Sequence, residues 1–172
     1  MNNMISNRYI KPTIIIVDDN LIFRKVLKAI ISVEKIAKVI GEASNGLELL
    51  DLLLQFDPDL VLMDIDMPQM NGIEATQKAL ELMPGLNIIA LTQYENEEYY
   101  NKMIALGARG FILKSKGIWE LEKAIKTIMK GKNYISESAL YKTGKPVVES
   151  ALKSKTKAKK EGTRKENSIT NK

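Results

Sequence analysis

The sequence predicts an α/β fold in which a parallel sheet of five strands is covered by helices on both faces. Two observations predict it. Short apolar, β-branched runs alternate with amphipathic stretches of helical period five times between residues 13 and 133, and such alternation means parallel strands joined by helical crossovers. The runs also end in polar residues followed by turn formers, most sharply at Leu60-Val61-Leu62-Met63-Asp64. A strand buried on both faces, ending in a carboxylate, delivers that carboxylate to the carboxyl edge of the sheet, where open α/β folds place their ligands. The strand order expected is 2-1-3-4-5, one of the two common doubly wound arrangements.

Thr13–Val17 is β-branched throughout and reads as the first strand. Asp18-Asp19-Asn20 closes it, with Asn20 placed to cap a helix. Leu21, Ile22, Val26, Leu27, Ile30 and Ile31 recur at helical spacing, with Arg24, Lys25 and Lys28 on the other face. Lys38–Ala43 is a second strand, weakened by Gly41. Asn45 with Glu48 three residues on has the form of a capping box, and its helix is expected to run to about Phe56, before Asp57-Pro58. After the Leu60–Met63 strand, Asn71 and Glu74 repeat the capping pattern, and Pro84-Gly85 ends that helix. Asn87–Leu91 is a fourth strand closed by Thr92. Glu95–Leu106 reads as a helix ended by Gly107, and Gly110–Leu113 as a fifth strand closed by Lys114. Leu121, Ala124, Ile125, Ile128 and Met129 form the apolar stripe of the last helix.

Residues 1–12 read as an entry segment, 13–133 as the domain and 134–172 as a basic, disordered tail. Net charge supports the division. The chain carries +5, of which residues 1–141 contribute −2 and residues 142–172 contribute +7. No cysteine or histidine is present, which excludes disulfides, thiolate and imidazole metal ligands, and Ser-His-Asp catalysis. No apolar run approaches the ~20 residues of a membrane span, and a cytoplasmic protein is expected.

In the expected strand order, Asp18, Asp19, Asp64, Thr92 and Lys114 converge on one edge. Three carboxylates that close repel one another unless a cation sits among them, and an all-oxygen site suits Mg²⁺. A lysine and a hydroxyl nearby suit phosphoryl oxygens. Singly, each residue is ordinary turn or capping chemistry; their order on successive strands points to a carboxylate that accepts a phosphoryl group.

The segments Ile16–Asn20, Leu62–Gly72, Ala90–Thr92 and Gly107–Lys114 resemble the response-regulator receiver domains of bacterial two-component signalling. The resemblance implies a flavodoxin-like (βα)5 receiver fold with Asp64 as phospho-acceptor. It implies Mg²⁺ held by Asp18 and Asp19, with Asp19, Asp64 and the backbone carbonyl of Asp66 as direct ligands, and phosphoryl oxygens bound by Thr92 and Lys114. Phe111 would be the switch aromatic, and Asp66 and Tyr94 occupy positions that tune dephosphorylation in the family. The implied partners are a sensor histidine kinase or histidine phosphotransfer protein, an output protein that the sequence does not name, and a second copy through the face of the fourth helix, fifth strand and fifth helix. Such a domain catalyses only its own phosphorylation and dephosphorylation. Gly107–Ser115 and Gly131–Ser136 resemble the subclass followed by a helix-turn-helix domain. Ser115 departs from the commoner Pro, and residues 142–172 lack amphipathic helices, so DNA binding of that type is not expected. Two further readings compete. The basic run Lys153, Lys155, Lys157, Lys159, Lys160, Arg164 and Lys165 would bind nucleic-acid backbones in a salt-dependent way. Asp64-Ile65-Asp66 also resembles the aspartate-nucleophile phosphatases of the haloacid dehalogenase type, which Pro68 and the early Asp18-Asp19 pair oppose.

Overall fold

A computed structural model describes residues 11–94 and 96–136. The basic segment 142–172 lies outside them. Strands β1 (Thr13–Val17), β2 (Lys38–Ala43), β3 (Leu60–Asp64), β4 (Asn87–Thr92), β5 (Gly110–Leu113) and β6 (Tyr134–Ile135) alternate with helices α1 (Leu21–Val33), α2 (Gly46–Leu53), α3 (Gly72–Leu82), α4 (Glu97–Leu106) and α5 (Ile118–Ile128). The sheet is parallel in order β2-β1-β3-β4-β5-β6. The expected 2-1-3-4-5 order is present, with a sixth strand added beyond β5. Tyr134 N–H donates to the Arg109 carbonyl at 2.8 Å and Ser136 N–H to that of Phe111 at 3.0 Å. The sheet therefore continues past residue 133, where the sequence pattern marks the end of the domain. A two-residue strand has too few positions to show a period of two.

The pleat sorts the strands into two cores. Ile15, Val17, Val61, Met63, Ile88, Ala90 and Phe111 pack with residues of α2, α3 and α4. Ile14, Ile16, Leu60, Leu62, Ile89, Leu91 and Ile112 pack with α1 and α5. Every residue of β3 is buried, as a central strand covered on both faces requires.

Helix starts follow side-chain caps. Asn20 accepts the N–H groups of Ile22 and Phe23, Asn45 that of Glu48, and Asn71 those of Ile73 and Glu74. Glu48 reaches back to the Ser44 N–H and hydroxyl, both at 2.7 Å. Two helix limits differ from expectation. α4 begins at Glu97, because Asn96 spends its side chain on the N–H groups of Glu98 and Tyr99 and so becomes the cap. α2 stops at Leu53, short of Phe56; Pro58 disfavours helical geometry at Asp57, and the intervening residues turn toward β3. Gly107, at φ 110°, supplies the left-handed C-terminal cap of α4.

Candidate functional site

Strand register places the site. Val17 of β1 pairs with Met63 of β3, so Asp18 and Asp64, each one residue further, arrive at the same level. Asp64 pairs with Leu91, and Thr92 pairs with Leu113, which sets Lys114 one residue beyond. Asp18 and Asp64 continue the pleat parity of the α1/α5 face, while Thr92 continues that of the opposite face.

The two aspartates and the lysine form a buried cluster. Lys114 Nζ stands 2.6 Å from Asp18 Oδ2 and 2.9 Å from Asp64 Oδ2, and its side chain is only 8% exposed. It also lies 4.8 Å from the centre of the Phe23 ring, a cation–π contact from α1. Exposed Asp19 completes a trio of carboxylates, with one oxygen from each of Asp18, Asp19 and Asp64 within 4.8 Å of the others. Asp18 Oδ1 accepts the Asn20 N–H at 3.0 Å, whereas no hydrogen bond of good geometry reaches Asp18 Oδ2, whose contact is the ion pair alone.

One ammonium does not balance three carboxylates. Burial pushes the Asp64 carboxyl up to about 6, and the Asp18 charge adds to the effect. Lys114 and the Ile65 N–H, which donates to Asp64 Oδ1 at 2.8 Å, pull the other way without prevailing. An under-bonded buried carboxylate oxygen, an excess of negative charge and a donor set made only of oxygen fit a hard divalent cation.

The remaining expected residues lie on β4, β5 and the loop after β3. Thr92 is buried, and its hydroxyl donates to the Tyr94 carbonyl at 3.1 Å and accepts the Tyr94 N–H at 3.3 Å. Phe111 is buried on β5, edge-on to Tyr100 of α4 with ring centres 5.4 Å apart and planes at 86°. Asp66 is exposed in the loop after β3, and its carboxylate pushes the Tyr99 phenol of α4 up. Two residues went unread as site components. Arg24 reaches in from α1 and donates through Nη1 to the backbone carbonyl of Asp18, and Phe23 covers Lys114. Helical spacing assigned Arg24 to the outer face; its place in the first turn after Asn20, beside the strand end, was the available signal.

The residues just after Asp64 make room for the site. A Cβ on Gly72 would sit 2.0 Å from the Asp64 carbonyl oxygen. Only glycine lets the start of α3 come this close, with its N–H bonding the Ile65 carbonyl at 2.9 Å.

Comparison with known proteins agrees with this geometry. The family model for the response regulator receiver domain matches residues 14–126. The chain belongs to the receiver family. It is 32% identical over 135 residues to the transcriptional regulatory protein DegU of Brevibacillus brevis, covering 78% of this chain and 56% of that protein. It is 40% identical over 114 residues to the uncharacterized transcriptional regulatory protein YhcZ of Bacillus subtilis (strain 168), covering 66% and 52%. Among solved structures, a LuxR-family response regulator from Aurantimonas sp. SI85-9A1 matches with a TM-score of 0.74 at 27% identity, covering 83% of this chain and 99% of that one. The receiver domain of RcsB from Salmonella enterica, solved with the phosphomimetic BeF3⁻, matches at 0.66 and 28% identity, covering 76% and 97%. This receiver thus spans about half the length of the curated relatives it matches. Among the described residues, no helix is long and apolar enough to cross a membrane.

Proposed function

We propose that this receiver accepts a phosphoryl group on Asp64 and that the modification switches a protein-interaction surface. The observation that supports it most is the Lys114 ammonium, shared between Asp18 and Asp64 beside a third carboxylate. Asp19, Asp64 and the backbone carbonyl of Asp66 would hold Mg²⁺ directly, with Asp18 alongside. When bound, the ion supplies neutralisation of the carboxylates and of the phosphoryl oxygens. An ionised Asp64 oxygen attacks phosphorus, the bond from phosphorus to the donor breaks, and the donor leaves with the bonding pair. With its acceptor carboxyl at about 6, Asp64 is mostly ionised at neutral pH and ready for that attack.

Lys114 then faces the new phosphoryl oxygens and stabilises their charge. Thr92 would leave the Tyr94 backbone to donate to the same oxygens, and Phe111 would follow within the space that opens. The face of α4, β5 and α5 changes with them, for an output protein or for a second copy. The chain has no histidine, so a phosphohistidine donor must be a partner: a sensor kinase or a phosphotransfer protein. The domain catalyses only its own phosphorylation and dephosphorylation, in the cytoplasm where such donors work.

Incubation with acetyl phosphate, with and without Mg²⁺, tests the reading on a phosphate-affinity gel. One Mg²⁺-dependent shifted band, absent in Asp64→Ala, is expected. A band that persists in Asp64→Ala would overturn the assignment.

A further inference from the structure

At the edge of the sheet opposite Asp64, a concavity of about 520 Å³ is lined by Lys11, Lys28, Ser32, Ala37, Lys38 and Val39. The fold brings its lysines together from three segments. Lys11 precedes β1 and Lys38 opens β2, and the Lys38 N–H donates to the Pro12 carbonyl at 2.8 Å, which holds the two stretches side by side. Lys28 and Ser32 lie one turn apart on α1 and so share a face. Unusual backbone shapes the corner. Lys35, between α1 and β2, takes the left-handed region at φ 55°, and the β1–β2 register shifts just after Val39. Lys28 is paired with Glu42. Among the described residues, neither Lys11 nor Lys38 is in an ion pair.

We propose that this corner binds a small anion bearing two or more phosphate groups. Residues 1–141 carry a net charge of −2, so lysines gathered on one concavity run against the balance of the domain. Cations held close repel one another, and a cleft lined by one sign of charge concentrates the opposite sign. Lys11 and Lys38 each supply an ammonium for phosphoryl oxygens, Ser32 supplies a hydroxyl donor, and Lys28 exchanges between Glu42 and the anion. The volume falls among small-ligand pockets, ~300–1,000 Å³. Buried Ala37 and half-buried Val39 give it a short apolar wall. A concavity of this size favours a compact ligand over an extended nucleic-acid backbone. The length of β1 separates it from Asp18 by about 16 Å at ~3.3 Å per residue, and the proposal does not depend on Asp64 being the acceptor.

The experiment titrates the ¹⁵N-labelled full chain with inorganic pyrophosphate at low salt, in EDTA so that no metal carries the anion to the acidic pocket. Amide shifts report both affinity and place, which matters because the basic run from Lys153 to Lys165 also attracts phosphates. The amides of Ser32, Lys38 and Val39 should shift and saturate. Lys11→Gln and Lys38→Gln should each weaken that binding roughly tenfold, as loss of one charge-assisted contact does. Lys78→Gln, an exposed lysine of α3, should leave it unchanged. The replaced lysines are exposed, so the variants should keep the wild-type spectrum without anion. A nucleoside triphosphate, titrated in parallel, should shift the same amides. Tighter binding than pyrophosphate would name a nucleotide as the source, and equal binding a free polyphosphate. Shifts confined to other residues, affinity unmoved by Lys11→Gln and Lys38→Gln, or an equal loss in Lys78→Gln would overturn the proposal. A twelve-nucleotide single strand that shifts these amides at lower concentration than either small anion would overturn it in favour of a nucleic-acid surface.

Discussion

Asp64 sits where burial opposes its ionisation, and the proposed attack on phosphorus requires it. Burial, with the Asp18 charge, pushes its carboxyl up from the ordinary 3.8 to about 6 against the pull of Lys114. A raised carboxyl favours the protonated form in the folded state. The resulting stability is fully present below about pH 3.8 and is lost as pH rises through about 6. At pH 7.5, without metal, Asp64→Asn should therefore stabilise the fold by on the order of 2 kcal/mol, and the two proteins should converge toward pH 4. Urea titrations at the two pH values check this. Tyr100 gives a second residue-level prediction. Its hydroxyl is buried without a hydrogen-bond partner among the described residues, so Tyr100→Phe, which keeps the edge contact to Phe111, should be neutral or stabilising by up to about 1 kcal/mol in the same titration. At this scale the convergence of Asp18, Asp64 and Lys114 was legible, because strand ends are local signals and a parallel sheet in this order brings them to one edge. The inward reach of Arg24 and Phe23 was not, because which side chains of a first helical turn reach inward depends on the tilt of α1 over the sheet, and periodicity carries no information on tilt.

The turn from β3 into α3 is the element that shapes the pocket. The Cβ missing from Gly72 would overlap the Asp64 carbonyl, backbone against backbone, with no flexible group to yield. Gly72→Ala should cost ~3 kcal/mol or more in thermal or urea unfolding. Asn71→Ala, which removes only a cap that Ile73 and Glu74 share, should cost ~1 kcal/mol. Equal losses in the two variants would contradict the close approach. Caps were the most legible element signal: Asn20, Asn45 and Asn71 all start helices where their spacing indicated. Asn96 was passed over because acidic residues on both sides of it resemble a first helical turn, and only the cap bonds to Glu98 and Tyr99 distinguish the two. β6 escaped because its pairing with Gly110 and Phe111 is a tertiary contact that a two-residue segment does not announce.

For the whole molecule, alternation of strand and helix was enough to read a parallel sheet, and the order β2-β1-β3-β4-β5 brings to one edge residues nearly a hundred positions apart. That convergence would tie binding of the proposed Mg²⁺ to folding, since the carboxylates meet only in the folded chain. A cation that binds the folded carboxylates and not the unfolded chain stabilises by mass action, about 2.7 kcal/mol at a hundredfold excess over its Kd. Millimolar Mg²⁺ should raise the melting temperature at pH 7.5 by several degrees, and Asp19→Asn should remove most of the rise; a rise unchanged by Asp19→Asn would place the ion elsewhere. The central claim is that a phosphoryl group is carried on Asp64, and chemical mapping tests it most directly. After treatment with acetyl phosphate and Mg²⁺, borohydride cleaves an acyl phosphate and reduces its carboxyl to an alcohol, so a phosphorylated aspartate is left as homoserine. Peptide mass spectrometry should find homoserine at position 64 and aspartate at positions 18, 19 and 66. Homoserine at any of those three, with aspartate intact at 64, would contradict the account.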